Sequence, residues 1–122
     1  MSRRLAVLLA PLAALAVVAA VVVPAQGAKP KPKSTTVGVV DYAFAPARAT
    51  VRAGTKVVWK WNVANSAPHD VKLVSAPRGV KKFTSPTYTA GISWARTLRV
   101  RGTYRLICTY HQSLMHETIV VK

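Results

Sequence analysis

Acidic side chains and cysteine are the scarce residues of this chain. Asp41, Asp70 and Glu117 are its only acids, against 18 Lys and Arg, for a formal net charge of +15 over 122 residues. So few carboxylates leave little to orient a catalytic base, which counts against an enzyme with Cys108 as nucleophile and His69 or His111 as base. Cys108 is the only cysteine. A single thiol excludes an internal disulfide, a haem attachment needing two cysteines, and the usual four-ligand structural zinc site. No segment has a helical period, and no internal repeat is present. A recognition-helix pattern and a basic run interleaved with aromatics are also missing, so nucleic acid is not an expected partner.

What is present begins with a leader. Arg3 and Arg4 precede an almost wholly apolar run over residues 5–23, followed by the small residues of Pro24-Ala25-Gln26-Gly27-Ala28. This pattern predicts a signal peptide over residues 1–27, cut after Ala25 or Gly27. The rival reading is an uncleaved anchor, because the run is about long enough to span a bilayer, although Pro11 interrupts it. No cysteine lies near the exit, so a lipid-modified cysteine is excluded. Residues 28–36 form a Lys/Pro-rich linker in which Pro30 and Pro32 block a helix. Residues 37–122 remain as a single folded domain, exported to the periplasm, cell wall or medium, with a monomer as the default. Losing Arg3 and Arg4 with the leader lowers the net charge by two. The remaining positive surface favours anionic partners, such as an acidic protein, an anionic cell-surface polymer or anionic lipid.

Within the domain almost every segment reads as strand. Residues 35–40 are β-branched. Val57, Trp59 and Trp61 share one face of a run after the Gly54 turn, while Lys56, Lys60 and Asn62 share the other along with Val58, the period of a half-buried strand. Residues 71–73, 84–89, 94–100, 102–108 and 117–121 are further candidates. Short strands with frequent turn signals predict an all-β sandwich or barrel.

The chemistry concentrates in Cys108-Thr-Tyr-His111-Gln-Ser-Leu-Met115, with a second imidazole upstream in Pro68-His69-Asp70. One thiolate, two imidazoles and one thioether form the ligand set of a blue-copper electron-transfer site. Cys108 ends a strand, His111 and Met115 follow in one loop, and His69 must arrive from a separate loop at the same end. Taken singly, Cys108 and Met115 read as buried apolar residues, and the histidines as surface groups. Together they read as one site. A free thiol in an exported protein would be oxidised unless buried, bonded to another chain or bound to metal. His116 competes with Met115 as axial ligand, but adjacent residues at a strand start face opposite sides, so His116 is expected in solvent.

These residues resemble the cupredoxins, in particular plastocyanin/azurin-like and halocyanin-like small blue copper proteins. The resemblance runs from about residue 37 to 121. It includes Tyr42-Ala-Phe44-Ala-Pro46, the run from Val51 to Trp61, Pro68-His69-Asp70-Val71 and Gly102-Thr-Tyr104-Arg-Leu-Ile-Cys108-Thr-Tyr-His111. It implies a Greek-key β-sandwich with one copper ion held by His69, Cys108 and His111, with Met115 axial. It also implies that Asp70 bonds Thr109 and ties the two ligand loops together. The edge of His111 would be the electron exit, surrounded by Ala67, Pro68 and Tyr110. Two departures stand out: three residues separate His111 from Met115 where relatives show two or four, and Glu117 replaces a common glycine.

The leading expectation is therefore an exported one-electron carrier and not an enzyme, with an acidic oxidase, reductase or cytochrome as redox partner. The alternative is a copper-binding or copper-delivery protein without a dedicated redox partner, which would expose its site. Three histidines cannot furnish the extra centres of a multicopper oxidase.

Overall fold

Alternating apolar and polar side chains can bury only one face of a strand, and here they assemble two sheets around a shared core. The computed structural model describes residues 6, 8–22 and 33–122. In chain order the strands are β1 (Ser34–Val40), β2 (Ala43–Ala45), β3 (Arg48–Val51), β4 (Thr55–Trp61), β5 (Lys72–Ser75), β6 (Ser93–Leu98), β7 (Gly102–Ile107) and β8 (His116–Val121). A 3-10 turn at Thr109–His111 separates β7 from β8. One sheet has the order β2-β1-β4-β6 and the other β3-β8-β7-β5. β1 runs parallel to β4 and β3 parallel to β8, while the remaining pairs are antiparallel. The architecture is the all-β Greek-key sandwich.

β4 shows why the pattern folds this way. Thr55, Val57, Trp59 and Trp61 are buried, and Lys56 and Lys60 are exposed. Both indoles are fully buried. Each hides on the order of 200 Å², worth ~5 kcal/mol at the usual area coefficient, an upper value because unfolded chains already hide some surface. The facing sheet contributes Leu73, Tyr104, Leu106 and Ile119. Among the described residues all of this core lies within residues 37–121, and none of it involves residues 8–22, which are exposed.

The register defines two poles. β7 ends beside Cys108, and the loops around residues 41–42, 62–71, 86–92 and 108–115 gather at that end. The starts of β1, β4 and β7 and the end of β8 lie at the opposite pole. There Gly102 has φ +138, and a Cβ on it would fall 2.5 Å from Pro77 Cγ.

Two expectations need correction. β1 begins at Ser34, inside the stretch assigned to the linker, because Ser34, Thr35 and Thr36 pair with Lys56, Val57 and Val58 of β4. Residues 84–89 are not a strand but an irregular segment with isolated bridges at Thr84 and Tyr88. Pro86 lacks an N–H and breaks the ladder. β2 was not anticipated, since three residues carry too little period to read. Residues 8–22 are exposed and have no regular secondary structure, and no helix among the described residues is long and apolar enough to cross a membrane. The expected processing site and Lys/Pro segment, residues 24–32, lie outside the described residues.

Candidate metal centre

The loop after β7 folds back on itself. The Met115 carbonyl accepts from the Cys108 N–H at 3.1 Å, and the His111 carbonyl accepts from the N–H groups of Leu114 and Met115 at 3.0 and 2.9 Å. Cys108 and Met115 therefore face each other at the base of the loop, with His111 above them. Both base residues are fully buried, and His111 is half-buried.

His69 comes from the β4–β5 connection and is held along its backbone. It exchanges N–H and C=O bonds with Tyr88 at 2.9 and 3.0 Å, and its carbonyl also accepts from Trp61 Nε1 at 3.2 Å. The irregular segment 84–89 thus braces the first histidine. Asp70 accepts from the Thr109 N–H at 2.7 Å and the Thr109 hydroxyl at 2.6 Å. This ties the His69 loop to the Cys108 loop, the contact that the resemblance implies.

The donor atoms converge. His69 Nδ1 lies 3.2 Å from His111 Nδ1, and Cys108 Sγ lies 3.9 Å from His69 Nδ1 and 3.6 Å from His111 Nδ1. All three donors fall within 4.8 Å of one another. Of the four expected metal residues, these three are gathered with their donor atoms together, and Met115 is buried beside them in the same loop. His116 is exposed and its Nε2 is engaged with the Gln112 carbonyl.

Asp41 is a residue that sequence reasoning missed. It occupies the β1–β2 turn, and its Oδ1 lies 2.7 Å from His69 Nε2. Its carboxylate also accepts from the backbone N–H groups of Ser66 and Ala67 at 2.9 and 3.2 Å. The Ser66 N–H, His69 and the other donors hold the carboxyl well below the usual carboxylate range. An ionised Asp41 has no proton to give, so His69 Nε2 must donate. In the neutral ring that choice leaves a lone pair on Nδ1, the atom turned toward Cys108 and His111. The only sequence signal was scarcity: one of three acids sits in a turn directly after a strand. Beside it Tyr42 has φ +66 and stacks edge-on against the His111 ring at 4.8 Å.

Glu117 does not join the site. It is buried, its Oε1 accepts from Trp59 Nε1 at 2.8 Å, and Oε2 has no partner among the described residues. Burial pushes its carboxyl up to about 7, against the opposing pull of the Trp59 N–H.

A soft thiol and two imidazoles, their donors clustered in a buried pocket, suit copper by ligand chemistry. On this Greek-key frame they define a blue copper protein of the cupredoxin class. A sequence profile described as copper binding proteins, plastocyanin/azurin family, matches residues 33–122, and the chain belongs to that family. Among solved structures, a reduced amicyanin variant is similar with a TM-score of 0.64 at 24% identity, over 73% of this chain and 82% of the other. A purple cupredoxin from Nitrosopumilus maritimus is similar with a TM-score of 0.62 at 19% identity, over 72% and 99%. A Cu-containing nitrite reductase from Thermus scotoductus SA-01 has a TM-score of 0.64 at 27% identity, over 84% of this chain but 25% of that longer one. No functionally curated protein matches the chain in sequence.

Proposed function

We propose that this protein is an exported one-electron carrier whose copper ion is held by His69, Cys108 and His111, with Met115 as axial ligand. The observation that carries the reading is the convergence of His69 Nδ1, Cys108 Sγ and His111 Nδ1 within 4.8 Å in a frame braced by Tyr88, Asp70 and Asp41. Copper, when bound, supplies the one-electron couple. The chain's part is to hold the donors still, so that little reorganises between the two oxidation states. His69 and Cys108 are fully buried, which keeps water away and disfavours the rapid metal exchange that a delivery protein needs. The same burial keeps Cys108 from acting as a nucleophile on an external substrate.

His111 is the only one of the three donors with an exposed edge, and electrons would pass there. Beside it Tyr42, Tyr110 and Leu114 are exposed, Val63 is exposed in a neighbouring loop, and the loops at this end contain no Lys or Arg. A redox partner would therefore dock on a largely apolar face that carries no Lys or Arg. The positive charge elsewhere would steer an acidic partner at long range without pairing with it at the contact.

The test uses the domain from Ala28 onward with one equivalent of Cu(II), followed by visible absorption and electron paramagnetic resonance. The expected result is an intense blue band with narrow copper hyperfine splitting, both lost in Cys108→Ser. Weak absorption with wide splitting would remove the thiolate bond and with it this reading.

A further inference from the structure

The cations of the folded domain are sorted by position. All fourteen Lys and Arg residues between Lys33 and Lys122 are exposed. The three carboxylates are engaged or hidden: Asp41 on His69, Asp70 on Thr109, and Glu117 in the core. Among the described residues, His69 with Asp41 is the only pairing of a basic and an acidic side chain. No Lys or Arg lies in the loops of the Cys108 end, whereas seven lie at the opposite pole.

Their placement follows from the register. The Lys33 carbonyl accepts from the Lys56 N–H at the start of β4. Arg52 lies in the β3–β4 turn, where the Ala53 N–H bonds the Lys122 carbonyl. Arg99 and Arg101 flank Val100 in the β6–β7 turn, and Val100 is 41% exposed. Arg78 follows Pro77, which packs under Gly102. The chain also enters the domain at this pole. Ahead of Lys33 the sequence carries Lys29, Lys31 and, further back, the apolar run of residues 5–23.

We infer that this pole seats the protein on an anionic lipid surface, with the metal end turned outward to solution. Basic side chains near an anionic headgroup layer each add affinity, and the attraction fades within a Debye length. Val100, apolar between two arginines at a turn tip, suits the boundary between headgroups and acyl chains. Retention of the leader would tether the chain at this same pole, because β1 begins there at Ser34. Strands of seven residues put about 20 Å between the poles, so seating leaves the His111 face clear. A linear polyanion would lie instead in the adjoining groove, where Arg99 and Val100 of this pole meet Lys81, Lys82 and Arg96.

The experiment sediments the domain from Ala28 onward with vesicles of equal parts phosphatidylcholine and phosphatidylglycerol. Circular dichroism verifies the fold of each variant. Combined Arg52→Gln, Arg99→Gln and Arg101→Gln should lower affinity roughly a hundredfold. Combined Lys60→Gln, Lys72→Gln and Arg105→Gln, an equal loss of charge nearer the metal end, should cost less than about threefold. Tryptophan at Val100→Trp should be quenched by brominated lipid, and that at Leu114→Trp should not. Equal losses in the two triple variants, or quenching at Leu114→Trp, would overturn the seating. So would binding to soluble polyphosphate without binding to vesicles, which would assign the groove to a polymer.

Discussion

Asp41 controls the first histidine through a single atom. Its carboxylate fixes the proton on His69 Nε2 and would raise the donor strength of Nδ1 toward copper, favouring the more highly charged ion. Asp41→Asn keeps an acceptor but removes the charge. Cu(II) affinity should fall ~10-fold, within the range for partners of ligating histidines. If Cu(I) binding is less affected, the reduction potential should rise by up to about 59 mV per tenfold difference. Competitive chelator titrations in each oxidation state and voltammetry check this, and an unchanged potential would mean that Asp41 only positions the ring. Spacing could not reveal this residue, because the link from Asp41 to His69 spans 28 positions and exists only in the folded chain. Cys108, His111 and Met115 were legible because one short loop holds them, and local spacing reports loops well.

At the scale of elements, β4 was legible because one of its faces is wholly buried, so every second residue is constrained. Residues 84–89 have β-branched and aromatic character but serve as a brace, with Pro86 interrupting the ladder. Composition cannot separate a strand from an extended brace. The β6–β7 turn depends on Gly102. Its φ of +138 is unfavourable for any side chain, and Pro77 occupies the space a Cβ would need. Gly102→Ala should therefore destabilise the domain by roughly 2–4 kcal/mol, combining backbone strain with overpacking. Urea unfolding monitored by tryptophan fluorescence measures it. Pro77→Ala in the same background should recover part of the loss, by clearing the contact but not the strained φ. A full loss despite Pro77→Ala would assign the whole effect to the backbone.

The molecule as a whole answers to pH through Glu117. In the unfolded chain this carboxyl ionises near its ordinary 4.5, and in the folded protein only near about 7. Between those values the folded state holds the extra proton, so stability falls as pH rises through the window and levels off above it. The full difference is about 3 kcal/mol. Thermal unfolding of the metal-free domain should therefore show a decline over this range that is absent in Glu117→Gln, and parallel curves for the two proteins would contradict it. The departure at Glu117 was visible in the sequence, but its burial against Trp59 was not, since an acid two places after a loop methionine ordinarily reads as exposed. The return of the β7–β8 loop upon itself has a further consequence. Three of the four candidate ligands travel together in an eight-residue cassette, Cys108 to Met115, while the fourth belongs to the frame. Exchanging that cassette for one of another length would retune the centre as a single part, leaving His69 and its braces as a fixed socket.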